Sequence, residues 1–234
     1  MFRTVSRGYR PYDGPGTTRL EGLVRGRLTL IDDKSRGLKS RGQARGRWEM
    51  AGELNGVRVA FVLANEGVEQ VELTEPWEAV KSAGGVPRLV APRPGEAQAM
   101  NHLDKGDRFP VDLTTGEARV EDFDALMLPG GVANPDQLRM DGPAIEFITE
   151  MFEAGKPAAA ICHGPWSLVE ADLVRERTVT SWPSLRTDIE NAGGTWVDEE
   201  VQVCTSGPNV LVTSRKPDDL KAFCAEMTAV FSGS

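Results

Sequence analysis

From Val57 onward the chain alternates short apolar runs with amphipathic ones. Val57 to Leu63 (VRVAFVL) is a brief apolar run rich in β-branched residues, the pattern of a buried strand. Pro76 to Ala83 predicts a helix, with Thr74 as its N-cap, Pro76 in the first turn and Gly84-Gly85 as the stop. Val86 to Val90 predicts a second strand. Residues 92–117, rich in Gly, Pro, Asp and Asn, predict an irregular excursion with short strands. Asp124 to Leu128 is the next core strand, ended by Pro129-Gly130-Gly131. A helix over Pro143 to Ala154, with Gly155 just past its end, leads into the strand Ala158 to Ile161. Further helices are predicted from Pro165 and over Ser184 to Ala192. Val201–Val203 and Val210–Thr213 read as a late strand pair, and Asp218 to Phe231 as a closing helix.

Strand and helix in alternation with short connections predict an α/β fold, a mainly parallel central sheet with helices on both faces. Ligand chemistry in such sheets gathers at the carboxyl ends of the strands. Attention therefore falls on Leu63, Leu128 and Ile161.

Composition narrows the class. The 234 residues are 40% apolar and 26% charged, with no apolar run long enough to span a membrane. Three cysteines (Cys162, Cys204, Cys224) are too few for a disulfide framework, and without a secretory signal a reducing, cytoplasmic compartment is expected. The net charge of −8 conceals a split: residues 1–49 carry +7 and the remainder −15. That overall balance argues against wholesale binding of nucleic acid. The first 49 residues hold ten Arg, two Lys and eight Gly with almost no periodicity. A phosphate-gripping arm and a targeting leader are both weakly supported, so a poorly ordered or vestigial extension is expected, with Met50 a natural start for the folded unit of 50–234.

The chemistry centres on Cys162. The segment Ala160-Ile161-Cys162-His163-Gly164-Pro165 puts a cysteine at a strand end, flanked by small residues, with a helix behind it. That is the pattern of a nucleophile elbow, where a tight turn presents the side chain and a helix N-terminus favours thiolate. An inert core thiol is the competing reading, but such a cysteine belongs inside a strand.

These residues, with Leu128-Pro129-Gly130-Gly131, resemble the DJ/PfpI superfamily of the class I glutamine amidotransferase-like fold, closest to its PfpI branch. The likeness continues through Ala64 to Glu72, Thr180-Ser181-Trp182-Pro183 and Val212 to Leu220, covering about 55–231. It implies a flavodoxin-like three-layer sandwich. It also implies Cys162 as nucleophile, Glu72 as the carboxyl that approaches the thiol, and Glu69 as a second acidic position. Gly131 and the N–H of His163 would form the oxyanion hole, with Gly130 in support. His163 would be the base, completed by an acid from an adjacent subunit that aligns with Asp136. The active form would then be a homodimer or homohexamer.

The remaining candidates are weaker. No histidine follows His163, which argues against glutamine hydrolysis; His102 reads as a surface residue, and no cluster suggests a metal. Trp166 and Trp182 are core or cleft lining, Cys204 lies in a loop insertion and Cys224 in the core. No cofactor is implied.

Three functions follow. The first is attack of Cys162 on reactive carbonyls: glutathione-independent glyoxalase chemistry, or removal of such adducts from proteins. The second is peptide hydrolysis by a Cys-His-Asp set. The third, of another class, is a thiol redox sensor or chaperone-like stress protein.

Overall fold

The computed structural model describes residues 54–233. The expectation for residues 1–49 lies outside them. In chain order the elements are β1 (Arg58–Val62), β2 (Glu66–Glu69), α1 (Gln70–Ser82), β3 (Val86–Ala91), β4 (Glu96–Asn101), β5 (Asp104–Pro110) and β6 (Leu113–Thr114). Then come β7 (Ala125–Leu128), α2 (Ala133–Leu138), α3 (Gly142–Glu153), β8 (Ala158–Ile161) and α4 (Pro165–Glu170). The last are β9 (Thr178–Val179), α5 (Arg186–Asn191), β10 (Thr195–Trp196), β11 (Val201–Cys204), β12 (Leu211–Ser214) and α6 (Leu220–Phe231).

Seven strands form one sheet in the order β11-β12-β8-β7-β1-β3-β6, parallel throughout except for β11. Its central strands are buried on both faces, which is why they read as continuous apolar runs. Val59 and Phe61 of β1, Ala125 and Met127 of β7, and Ala159 and Ile161 of β8 pack with Leu73 and Val80 of α1 and Phe223 and Met227 of α6. The alternate residues Ala60, Val62, Leu126, Leu128, Ala158 and Ala160 pack with Phe147, Ile148 and Met151 of α3 and Leu168 of α4. The period-two alternation thus divides one sheet between two helical layers, the expected three-layer α/β sandwich. No helix among the described residues is long and apolar enough to cross a membrane.

Three expectations need correction. Helix α1 begins at Gln70, so Thr74 is no cap; its hydroxyl donates back to the Gln70 carbonyl at 3.1 Å, and Pro76 lies inside the helix. Residues 92–117 are more regular than their composition suggests. β4 and β5 form an antiparallel hairpin that extends β2 into a second, three-stranded sheet. It is held by the burial of Ala97 and Ala99, the two residues of β4 that are fully buried. Cys204 is the buried last residue of β11, and the longer loop starts after it.

Candidate active site

The elbow forms where β8 ends. Cys162 has φ 60°, a left-handed backbone that a side chain adopts at a cost and that turret-like turns impose. The turn is pinned on both sides: the Cys162 N–H donates to the Ser214 carbonyl at 3.0 Å, and its carbonyl accepts from the Trp182 N–H at 2.8 Å. The residue is only 6% exposed, with its Sγ turned into the cleft. Helix α4 behind it is six residues long, so nearby amides contribute more to the thiol than an extended helix dipole.

Two close approaches of backbone build the other wall. A Cβ on Gly130 would strike Glu72 Oε2, Cys162 Cβ and the Ile161 carbonyl oxygen. A Cβ on Gly131, whose φ is 85°, would strike the Gly67 carbonyl oxygen and the Glu69 nitrogen. Only glycine lets the turn after β7 sit between α1 and the elbow. Gly130→Ala is therefore expected to lose about 1–3 kcal/mol of stability, since backbone cannot step aside. Its Cys162 should also carbamidomethylate at an altered rate, and thermal melts with iodoacetamide kinetics check both.

Asn134 was not legible in advance. It is 1% exposed, accepts from the Ala64 N–H at 2.7 Å and donates to the carbonyls of Pro129 and Gly130 at 2.9 and 3.0 Å. It staples the end of β1 to the glycine turn.

Glu72 stands on the first turn of α1, fully buried. Neither carboxyl oxygen makes a hydrogen bond of ordinary geometry. Burial is the main force pushing its pKa up to about 8, with the charge of Glu69 adding to it. The Cys162 thiol and the Gly130 and Gly131 amides pull the other way. Burial and the facing Glu72 carboxylate both push the Cys162 thiol up, and the N–H groups of Gly131 and His163 pull it down. The pair resists carrying two negative charges. Near neutral pH it holds its protons until an electrophile draws on the sulfur, and the carboxyl can then donate to the thiolate.

His163 follows Cys162 directly. Its Nδ1 lies 3.2 Å from Cys162 Sγ, and its ring stacks on Trp182 with centroids 5.8 Å apart. Burial pushes its pKa down to about 4, so the ring is neutral through the physiological range. The Nε2 side faces Ser184 Oγ at 3.5 Å.

The cleft in front of the thiol is about 930 Å³, and Glu66, Glu69, Glu72, His102, Leu103, Val132, Trp182 and Ser184 contribute to its walls. Glu69 accepts from the His102 N–H at 3.0 Å, which ties the hairpin tip to the site. His102 is a surface residue as expected, but it stands at the rim of the cleft. Leu103, Val132 and Trp182 are large exposed apolar side chains at the same mouth. Asp136 is exposed on α2 and does not line the cleft, so this chain does not bring it to His163. Among the described residues no group of three or more acidic, histidine or cysteine side chains is placed to hold a metal.

The family model described as the DJ-1/PfpI family matches residues 57–229. The chain is 39% identical over 170 residues to deglycase PH1704 of Pyrococcus horikoshii, covering 73% of this chain and 96% of that one. It is also 39% identical over 175 residues to general stress protein 18 of Bacillus subtilis, covering 75% and 98%. Among solved structures, the ThiJ/PfpI domain protein of Brachyspira murdochii superposes with TM-score 0.68 at 22% identity, over 77% of this chain and 99% of the other.

Proposed function

Because the chain belongs to the DJ-1/PfpI family, we propose that it is a cysteine-nucleophile enzyme acting on reactive carbonyls without a cofactor. α-Oxoaldehydes such as methylglyoxal, or their early adducts on proteins, are the substrates. The observation that carries this is the constellation at the elbow: Sγ, the Gly131 and His163 amides, and a buried carboxyl whose pKa is pushed up converge on one cleft.

The Sγ–H bond breaks as sulfur attacks the aldehyde carbon; an S–C bond forms, the carbonyl electrons move onto oxygen, facing the two amides, and that oxygen takes up a proton in place of the one sulfur lost. The proton on that carbon then moves to the neighbouring carbonyl carbon by way of an enediolate, leaving a thioester. Water cleaves the thioester, so that methylglyoxal plus water becomes lactate and the thiol is restored. Lactate formation without glutathione, followed by proton NMR, tests this. Turnover is expected for the native protein, and its absence sinks the glyoxalase form.

Peptide hydrolysis is the second reading, favoured by one observation: among the described residues the His163 ring nitrogens meet Cys162 Sγ and Ser184 Oγ, neither of them a carboxylate. An acid delivered by a second copy, with Asp136 as the candidate, would complete the set across an interface. Asp136→Ala is then expected to abolish casein hydrolysis and to leave lactate formation within about threefold, because the carbonyl route draws on Glu72.

A further inference from the structure

We infer that Ser184 is the positioning residue of His163, fixing its tautomer and giving the Cys162 proton an outlet to solvent. This rests on the reading of Cys162 as a nucleophile and extends it to a residue outside the elbow.

The geometry is assembled by a single turn. Trp182 donates its N–H to the Cys162 carbonyl at 2.8 Å, and its own carbonyl accepts from the Leu185 N–H at 3.0 Å and from Ser181 Oγ at 2.9 Å. Ser181 Oγ in turn accepts from Trp196 Nε1 at 3.1 Å. Pro183–Leu185 is one 3₁₀ turn, so Ser184 is carried on backbone tied to the nucleophile's own carbonyl. The Trp182 ring lies stacked against one face of His163, with Trp166 tilted nearby at 6.4 Å. The imidazole is packed on one face by Trp182, and its two nitrogens approach two hydrogen-bonding groups. One is Cys162 Sγ at 3.2 Å and the other Ser184 Oγ at 3.5 Å.

A hydroxyl suits this place because it both donates and accepts. His163 is 6% exposed and Ser184 is exposed. Burial disfavours an imidazolium, so the ring passes a proton on while staying neutral. The Sγ–H bond breaks and its proton joins Nδ1, the electron pair remaining on sulfur. The proton on Nε2 leaves for Ser184 Oγ, and the serine hydroxyl proton goes to water. The ring ends as the Nδ1–H tautomer, donating to the new thiolate, and the proton count is conserved. Catalytic hydrogen bonds in unliganded sites are commonly long, and 3.5 Å is compatible with such a chain tightening on substrate.

The test compares the native protein with Ser184→Ala, Ser184→Thr and Asp136→Asn. Three readouts are used: the ring nitrogen shifts of His163 by NMR, the rate of Cys162 carbamidomethylation by iodoacetamide at pH 7, and methylglyoxal turnover. Ser184→Ala should fold with an unchanged melting temperature and shift His163 away from the Nε2–H tautomer. Its thiol modification and kcat should fall about tenfold with KM unaltered, less than the roughly 10²-fold or more of a direct acid–base group because Ser184 acts through His163. Ser184→Thr, which keeps the hydroxyl, should restore both. Unchanged nitrogen shifts and reactivity in Ser184→Ala overturn the inference. So does Asp136→Asn producing the effect in its place, since the partner of Nε2 is then an acid from another subunit. If methylglyoxal is not consumed by any variant but the nitrogen shifts and alkylation respond to Ser184, the proposed reaction fails and the role of Ser184 stands.

Discussion

Replacing Cys162 by alanine should reduce lactate formation from methylglyoxal by at least about 10³-fold, to the level of the uncatalysed reaction, because the substrate loses its only covalent anchor. The amides of Gly131 and His163 and the Glu72 carboxyl remain in the variant, so binding should persist while turnover does not. Stability should barely change. Alanine keeps a Cβ and inherits the same left-handed backbone of φ 60°, and the side chain lost is a single sulfur. A melting temperature within a few degrees of the native value, with turnover gone, separates a missing nucleophile from a damaged fold. Appreciable turnover in this variant would move the chemistry off the elbow altogether.

The second large effect concerns Glu72 and has opposite signs for stability and activity. An unfolded glutamate releases its proton near pH 4.5, whereas the folded carboxyl holds its proton until about pH 8. The folded state therefore binds more protons than the unfolded state between those values, and the native protein loses stability as pH rises through that window. At about 1.4 kcal/mol per pKa unit the loss approaches roughly 4 kcal/mol by pH 8, and it levels off above that. Glutamine does not titrate. The stability difference between Glu72→Gln and the native protein should thus swing by about 4 kcal/mol in favour of the variant between pH 4 and pH 8. Chemical denaturation at the two pH values measures it. Turnover should fall roughly 10²-fold in the same variant, since an amide cannot share a proton with sulfur. A stability difference that is flat with pH would mean that the carboxyl is not sealed from water.

Much of this was legible in the sequence, and the parts that were not share a physical cause. Cys162 could be found because strand, elbow and following helix lie within a few consecutive residues. The sheet could be found because β1, β7 and β8 are short, doubly buried runs whose pattern needs no partner to be recognised. Helix α1 was misplaced because Thr74 and Pro76 imitate a start signal. The proline is tolerated inside the helix, where its missing N–H would have bonded the carbonyl of Glu72. Strand β2 was missed since Glu66-Gly-Val-Glu69 becomes extended only by pairing with β4 some thirty residues later. Asn134 sits in the short helix α2 and Ser184 in a single 3₁₀ turn. What distinguishes them is the arrival of the β1 end at one and of His163 at the other, which no local pattern records.

The backbone at Cys162 also bears on how such a protein evolves. A left-handed position costs an ordinary residue about 1–2 kcal/mol that glycine does not incur. Under mutational drift with no demand on the thiol, this position would be among the first to relax, because losing the side chain there improves folding. A glycine at this turn would relieve the backbone and remove the thiol together, so ease of folding and the presence of sulfur pull in opposite directions at one residue.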